Sequence, residues 1–169
     1  IQRLDSVSIL SMDNSYPGSA DGKIGRYQCD WLKNALQSEK GQTILLMTHH
    51  HLLPHQADFP SCEIMEEFNE ILRKSSISMI FCGHTHVPCG YQTNTKQTVV
   101  NVGSVGRPFS QEPKSCFAIL EVNDGAFEIS HRLVPYDVQA AAEILRQREF
   151  EGADKLAQML ICATSRYPQ

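Results

Sequence analysis

Two short apolar runs, each followed directly by histidines, constrain the fold of this chain more than any other feature. The first run occupies residues 43–48 and leads into three consecutive histidines at 49–51. The second occupies residues 77–82 and leads into the sequence GHTH at 83–86. Both runs are largely apolar, as strands buried on two faces of a parallel sheet are. Because parallel strands end at one edge, where open α/β sheets bind ligands, the sequence predicts an α/β fold with a metal site there.

The segment between the two runs has the pattern of a helix. Over residues 61–75, apolar side chains recur at helical spacing, acidic residues come early and basic residues late, and Ser61 can cap the first turn. A strand, this helix and a second strand make a βαβ unit, whose crossover is right-handed when the strands share a sheet. Upstream, the pattern predicts three further elements: a strand over 5–13, a loop over 14–25 and a helix over 26–37.

After residue 86 the pattern changes to short runs separated by turns. Strands, all expected to be antiparallel, are predicted over 91–93, 98–102, 115–122 and 126–133. The tripeptide Asn123-Asp124-Gly125 indicates a hairpin. Asp137 is expected to cap a helix that reaches residue 149, and a short helix is predicted over 154–161. Nothing indicates a second domain, so residues 1–169 are expected to form a single one.

Composition narrows the range of partners. The chain has 169 residues, 41% of them hydrophobic and 20% charged, which is typical of a folded domain with a real core. A net charge of -4 without a cluster of Lys or Arg argues against nucleic acid as a partner. No apolar run approaches the ~20 residues of a membrane span. The six cysteines form no C-x-x-C pair, and reduced thiols in the cytoplasm are favoured over a disulfide framework.

The histidines after the two apolar runs are the candidate metal ligands, since neutral imidazole binds Zn, Fe, Cu or Ni. His84 and His86 either share one ion or bind one each. Among the three consecutive histidines, His49 is best placed to reach across to His84. His50 is either a substrate contact, a hydrogen-bonding neighbour of a ligand, or a solvated loop residue. The remaining histidines are interpreted as ordinary polar residues: His51, His55 and His131.

The loop NVGSVGRP at residues 101–108 is a second candidate feature. Gly103 and Gly106 allow positive φ angles, so that successive backbone N–H groups could hold an anion. Arg107 could pair with a phosphate. A plain glycine turn between two strands explains the same residues, and this interpretation is favoured when the loop is taken alone.

Together these segments resemble the calcineurin-like metallophosphoesterases, in their phosphodiesterase branch. The sequence THHHLLP at 48–54 is similar to the family's strand ending in His-His-Pro-Pro, and CGHTHVP at 82–88 to its closing Gly-His-x-His motif. NVGSVGRP is similar to the family's Asn-x-Gly-Ser loop. Residues 10–36 and 131–145 add similarity in order and spacing, so the resemblance covers nearly the whole chain.

The resemblance implies a two-sheet α/β sandwich of mixed parallel and antiparallel strands flanked by helices. Such a fold holds two divalent metal ions (Mn, Fe, Zn or Mg) at its strand ends, with His49 and His84 on one ion and His86 on the other. The implied activity is metal-assisted hydrolysis of a phosphoester, by a phosphodiesterase or phosphatase acting on a phosphorylated small molecule or phosphodiester. Substrate contacts are implied for a further group of residues: His50, Asn101, Gly103, Ser104 and Arg107.

Three motifs of that family have no counterpart in this sequence: Asp-x-His, Gly-Asp-x-x-Asp and Gly-Asn-His-Asp/Glu. In the family they supply a bridging carboxylate, an Asn ligand and the general acid. We therefore expect the chain to be the carboxyl-terminal part of such a domain, with the general acid upstream. A strand edge left unpaired by the missing part would favour a homo-oligomer.

Two other functions stay open. The same fold could serve as a non-catalytic protein-interaction module. That alternative predicts damage to the histidine set, and the presence of His49, His84 and His86 favours the enzyme instead. A mononuclear zinc hydrolase would need all three rings within about 2.1 Å of one ion, which the arrangement implied by the resemblance disfavours.

Overall fold

The structure is a computed structural model that describes residues 1–52, 62–93, 96–123 and 126–165. The chain divides into two compact units. The first consists of Ile1–Thr85 and Cys89–Asn101, and the second of His86–Pro88 and Val102–Gln169. Some residues used in the sequence predictions lie outside the described ranges: His55, Ser61, Asp124 and Gly125.

A six-stranded mixed sheet forms the centre of the first unit. In spatial order its strands are β1 (Gln2–Leu4), β2 (Val7–Ser11), β4 (Thr43–Met47), β6 (Ile77–Cys82), β8 (Thr98–Asn101) and β7 (Cys89–Gln92). The four inner strands run parallel, and the two edge strands pair antiparallel with their neighbours. The predicted α/β fold with mixed parallel and antiparallel strands is confirmed. The expectation that β8 is purely antiparallel is wrong, because it pairs in parallel with β6 on its other side.

Two helices accompany this sheet: α1 (Arg26–Ser38) and α2 (Glu66–Lys74). β4, α2 and β6 make the predicted βαβ unit, with the two strands as direct parallel neighbours. The apolar stripe of α2 enters the core, where Phe68 has no exposed surface and packs with Leu46 and Ile80 from the sheet. Full burial of such a side chain contributes about 1.5–3 kcal/mol, which holds α2 against the sheet.

The sequence predictions fail at a second, two-stranded sheet. β3 (Gly22–Ile24) pairs in parallel with β5 (Cys62–Ile64). β3 lies inside the segment predicted as a loop, and β5 lies inside the segment predicted as the first turn of a helix, which begins at Glu66 instead. Both strands have three residues, too few for a period of two to be visible, and their pairing joins segments about 40 residues apart.

The second unit contains an antiparallel ribbon and two helices. β9 (Lys114–Asn123) pairs along its whole length with β10 (Ala126–Pro135), as predicted. They are followed by α3 (Val138–Arg146) and α4 (Ala153–Cys162). Asp137 caps α3 by accepting a hydrogen bond from Ala140 N at 2.9 Å, which confirms the predicted cap. The helix ends at Arg146 rather than residue 149, and Glu149 has a φ of 49°, a left-handed value that no α-helix can include.

All six cysteines are free thiols. Among the residues that the structure describes, no helix has the length and apolar character needed to cross a membrane.

Candidate metal centre

The turns that follow β4 and β6 lie side by side at the carboxyl edge of the sheet. Thr48 N donates to Phe81 O at 2.9 Å, and Gly83 N donates to His49 O at 2.9 Å. The parallel pairing of the two strands therefore continues one step beyond their ends. It holds the turn that carries His49 against the turn that carries His84.

This pairing brings two imidazole nitrogens together. Nε2 of His49 lies 3.3 Å from Nδ1 of His84. Two nitrogens that each lie about 2.1 Å from a tetrahedral ion are separated by about 3.4 Å, so the spacing fits two ligands of one metal. The same spacing also fits an N–H···N hydrogen bond between neutral rings, in which the proton occupies the place that an ion would take.

The backbone of the second turn is left-handed at both of its histidines. φ is 64° at His84 and 58° at His86, whereas the neighbouring Gly83 has no positive φ. Left-handed φ is unfavourable for residues with a Cβ and persists only where the surroundings enforce it. The structure thus places this backbone strain on the candidate ligands themselves.

His50 belongs to the same cluster. Its ring centre lies 4.2 Å from that of His84 and 4.8 Å from that of His49, and ring nitrogens of all three residues lie within 4.8 Å of one another. Nε2 of His50 lies 3.0 Å from Ala20 O. Because a carbonyl oxygen only accepts, this bond places the ring proton on Nε2. Nδ1 is buried and has no hydrogen-bond partner among the described residues.

Asn14 holds the turn that carries His49 and His50. Its Oδ1 accepts from the backbone N of both histidines at 3.0 Å, and its Nδ2 donates to His50 O at 3.1 Å. Asn14 has no exposed surface. Its position follows directly from β2, which is the parallel neighbour of β4 at the same sheet edge. The sequence predictions assigned Asn14 to a plain loop and missed this role.

Asn101, at the end of β8, holds the other turn. Its Nδ2 donates to Gly83 O at 2.6 Å and to Thr85 Oγ1 at 2.8 Å, and neither Asn101 nor Thr85 is exposed by more than 1%. This residue was predicted to contact substrate. In the structure its amide nitrogen bonds the residues on either side of His84, and the substrate contact stays a prediction.

His86 is part of the second unit. Its Nδ1 lies 2.7 Å from Arg107 O, so Nδ1–H donates to that carbonyl. Its ring stacks on Phe109 at 4.6 Å. Metal-binding histidines characteristically donate one ring N–H to a carbonyl and bind the metal through the other nitrogen. The arrangement leaves Nε2 of His86 as the atom suited to bind an ion.

The loop 103–107 is tightly folded within the second unit. Gly103 has a φ of 79°, and a Cβ there would lie 2.9 Å from Cys116 Cβ and Sγ, so this position requires glycine. Ser104 Oγ accepts from Arg107 N at 3.0 Å. The guanidinium of Arg107 lies 5.1 Å over the Phe109 ring, while its buried Nε has no partner among the described residues.

Two further titratable residues, Asp13 and His51, adjoin residues of the cluster in the chain. Asp13 accepts from the hydroxyl and the backbone N of Ser15, and these bonds lower the pKa of its carboxyl, with a smaller effect from His49 and His50. His51 is 2% exposed, and burial lowers its pKa.

Gly22 is a second residue of the site that sequence reasoning missed. A Cβ at this position would lie 2.7 Å from His50 Cγ and 2.8 Å from Asn14 O. Only a residue without a side chain fits under the His50 ring. No local pattern indicates this, because the requirement arises from a contact between segments 28 residues apart.

Comparison with known proteins identifies the family. The family model described as the calcineurin-like phosphoesterase superfamily domain matches residues 17–125. The match spans more than half of the chain and includes both histidine turns. The protein belongs to the calcineurin-like phosphoesterase superfamily, as the sequence resemblance predicted.

Several curated relatives carry names of cyclic nucleotide phosphodiesterases. A probable cyclic nucleotide phosphodiesterase of Rhodococcus erythropolis is 30% identical over 86 residues, covering 49% of this chain and 29% of the relative. A cAMP/cGMP dual specificity phosphodiesterase of Mycobacterium tuberculosis is 27% identical over 117 residues, covering 68% and 33%. The 3',5'-cyclic adenosine monophosphate phosphodiesterase of Escherichia coli is 30% identical over 82 residues, covering 46% and 30%. The chain thus matches about a third of the length of each relative.

A solved structure supports the fold. The crystal structure of a dimetal phosphatase from Danio rerio aligns with a TM-score of 0.51 and 16% sequence identity, covering 66% of this chain and 36% of that one. At this identity the likeness shows the fold alone.

Proposed function

We propose that this chain contributes to a metal-dependent phosphodiesterase in which His49 and His84 bind one divalent ion. The observation that carries the proposal is the 3.3 Å separation of His49 Nε2 and His84 Nδ1 at a shared sheet edge. Because the alignments cover about a third of the relatives' length, the activity is proposed for a protein that contains this chain. In this family the bound ions supply Lewis acidity toward the phosphoryl oxygens and lower the pKa of the attacking water.

We propose further that His86 binds a second ion. Its Nδ1–H is engaged by Arg107 O, which fixes the tautomer and leaves Nε2 as the ligand atom. This division of the three rings between two ions follows the pattern that the family resemblance implies. The structure describes His86 in a different unit from His49 and His84, so the proposal for His86 depends on its own hydrogen bond.

The chain's own residues then have distinct parts. Asn14 and Asn101, both buried, hold the two histidine turns by hydrogen bonds to their backbone groups. We assign Ser104 and Arg107 to the substrate phosphate, because a guanidinium pairs well with phosphate oxygens and the two residues share one folded loop. Gly103 allows the turn that carries them, and His50 lines the site beside His84.

We propose a cyclic nucleotide as the substrate class. Curated relatives from three bacterial genera are named for cyclic nucleotide hydrolysis, and their alignments have 27–30% identity. Because a cyclic nucleotide is a phosphodiester, the same site should also hydrolyse an activated diaryl phosphodiester.

The test is hydrolysis of bis-p-nitrophenyl phosphate and of cAMP with added Mn²⁺, by a protein that contains this chain and the family's remaining motifs. We expect turnover in the unmodified protein and its loss in His84→Ala. His131→Ala is the matched control, because it removes an imidazole from β10, outside the histidine turns. Turnover retained in His84→Ala would refute the site, and metal binding without any turnover would favour the non-catalytic interaction module.

A further inference from the structure

Three of the four hydrogen bonds of the Asn14 side chain go to the backbone of the candidate metal centre. Oδ1 accepts two hydrogen bonds, from His49 N and His50 N, each at 3.0 Å. Nδ2 donates to His50 O at 3.1 Å and lies 3.5 Å from Cys62 Sγ. A single buried carboxamide therefore holds the peptide groups before, between and after His49 and His50.

The main chain of Asn14 fixes the opposite side of the same ring. Asn14 O accepts from Lys23 N at 2.8 Å, which brings β3 under His50. Gly22 then lies beneath the ring, and Ala20 O accepts from its Nε2. Residues 14–22 thus position the backbone of His50, its ring and the surface beneath that ring.

The position of His50 matters to both ligands. It is bonded to His49 in the chain, and its ring lies 4.2 Å from the ring of His84. A shift of the turn at His50 moves His49 directly and removes the surface against which His84 rests. Metal affinity is sensitive to such shifts, because ligands must meet the ion within a few tenths of an ångström.

We propose that Asn14 is a positioning residue of the metal site: its carboxamide sets the His49–His50 turn so that His49 Nε2 meets His84 Nδ1 across one ion. The inference rests on the proposed function, since it takes His49 and His84 as metal ligands. It extends that function to a residue that carries no ligand atom and lies on a third strand end, after β2.

A buried Asn could instead stabilise the fold without affecting the metal. The two roles predict different results for substitutions that cost the same stability. Only the positioning role predicts that metal affinity falls as well. Ser8→Ala provides the matched control, because Ser8 is also fully buried and follows the start of β2, where its hydroxyl donates to Glu39 at 2.6 Å. That bond lies at the other end of the strand from the metal site.

The experiment uses the protein of the hydrolysis test, which contains this chain and the family's remaining motifs, and measures Mn²⁺ affinity by electron paramagnetic resonance of free Mn²⁺. It compares the unmodified protein with Asn14→Leu and Ser8→Ala. Asn14→Leu keeps the branched shape of the side chain and removes all of the side chain's hydrogen bonds. Loss of an outer partner of a metal ligand weakens metal binding about 10- to 100-fold, and we expect that loss in Asn14→Leu but not in Ser8→Ala. If Asn14→Leu does not fold, Asn14→Ser replaces it, since a short hydroxyl cannot span the three backbone groups.

A metal-free measurement accompanies the titration. Amide hydrogen exchange at His49 and His50 should be slow in the unmodified chain and fast in the Asn14 variants, because their N–H groups lose their acceptor. Unchanged Mn²⁺ affinity in a folded Asn14 variant would overturn the inference and leave the proposed function standing. The opposite result is Mn²⁺ binding that depends on Asn14 in a protein that shows no phosphodiester turnover. In that case the inference would hold and the proposed function would fail.

Discussion

Nδ1 of His84 lies 3.3 Å from Nε2 of His49, although 35 residues separate them in the chain. Two parallel neighbouring strands, β4 and β6, create this approach, and hydrogen bonds between the turns extend it beyond the strand ends. The site is therefore a property of the sheet rather than of a flexible loop. If His49 and His84 bind one ion, as we propose, their rings already lie together, which lowers the conformational cost of binding.

The first prediction distinguishes a divided site from a shared one. If His86 binds an ion of its own, His86→Ala should remove one Mn²⁺ and leave the ion on His49 and His84, whereas His84→Ala should remove the latter. The stoichiometry of each variant can be measured by equilibrium dialysis against Mn²⁺. If each substitution abolishes all binding, the three rings share one ion, and the mononuclear zinc hydrolase is the better description.

Much of this arrangement could be predicted from the sequence. The positions of His49 and His84 follow from two apolar runs of strand length, because the carboxyl ends of parallel strands meet at one edge. The same rule applied to β2 would have indicated Asn14, which comes three residues after Ser11 at the end of a strand. It was missed because the surrounding Gly, Pro and Ser residues are typical of a loop.

The small sheet of β3 and β5 could not be predicted in the same way. Ile64 and Met65 fit the helical spacing of α2, so the apolar pattern extended the helix over residues that pair with Gly22–Ile24 instead. A three-residue strand gains its stability from its partner and not from its own propensity. The requirement for Gly22 follows from that pairing and is invisible without it.

The second prediction concerns this glycine. Gly22→Ala would place a Cβ 2.7 Å from His50 Cγ, so the ring or the β3 backbone must move. We expect destabilisation of about 1–3 kcal/mol from overpacking and Mn²⁺ affinity lowered about tenfold or more. Urea denaturation and Mn²⁺ titration measure the two effects.

Gly90→Ala is the matched control for Gly22. Gly90 also lies in a strand, β7, and has no positive φ, but its nearest neighbour to a new Cβ is 3.8 Å away. Its Mn²⁺ affinity should equal that of the unmodified chain. Equal Mn²⁺ affinity of Gly22→Ala and Gly90→Ala would contradict the close contact between the His50 ring and Gly22.

The third prediction compares two buried amides at opposite ends of β8. Asn101→Ala removes the donor to Gly83 O and Thr85 Oγ1, and Gln97→Ala removes the donor to Leu72 O. Each removes a side-chain hydrogen bond, at a cost of about 0.5–1.5 kcal/mol, and Leu72 O keeps the bonds from Ser75 N and Oγ. Only Asn101→Ala should also weaken Mn²⁺ binding, because only its acceptors belong to the turn of His84. Denaturation curves and metal titrations of both variants decide the matter, and a parallel loss of affinity in Gln97→Ala would count against it.

The last prediction follows from the buried carboxylate of Glu39, which lies on the first unit away from the histidines. Hydrogen bonds from Arg3 and Ser8 hold the pKa of Glu39 at about 2, against an ordinary value of 4.5. The folded state thus binds this proton less readily than the unfolded state. The stabilisation is fully present above about pH 4.5 and is lost as the pH falls toward 2.

Glu39→Gln should therefore flatten the acid side of the stability curve. Urea denaturation between about pH 3 and pH 6 should show a smaller loss of unfolding free energy in this variant than in the unmodified chain, because one proton-linked group is gone. Glu70→Gln is the control, since Glu70 forms an exposed ion pair with Lys74 at 3.7 Å, and such pairs contribute little. A curve for Glu39→Gln that runs parallel to that of the unmodified chain would mean that the Arg3–Glu39 pair does not persist in solution.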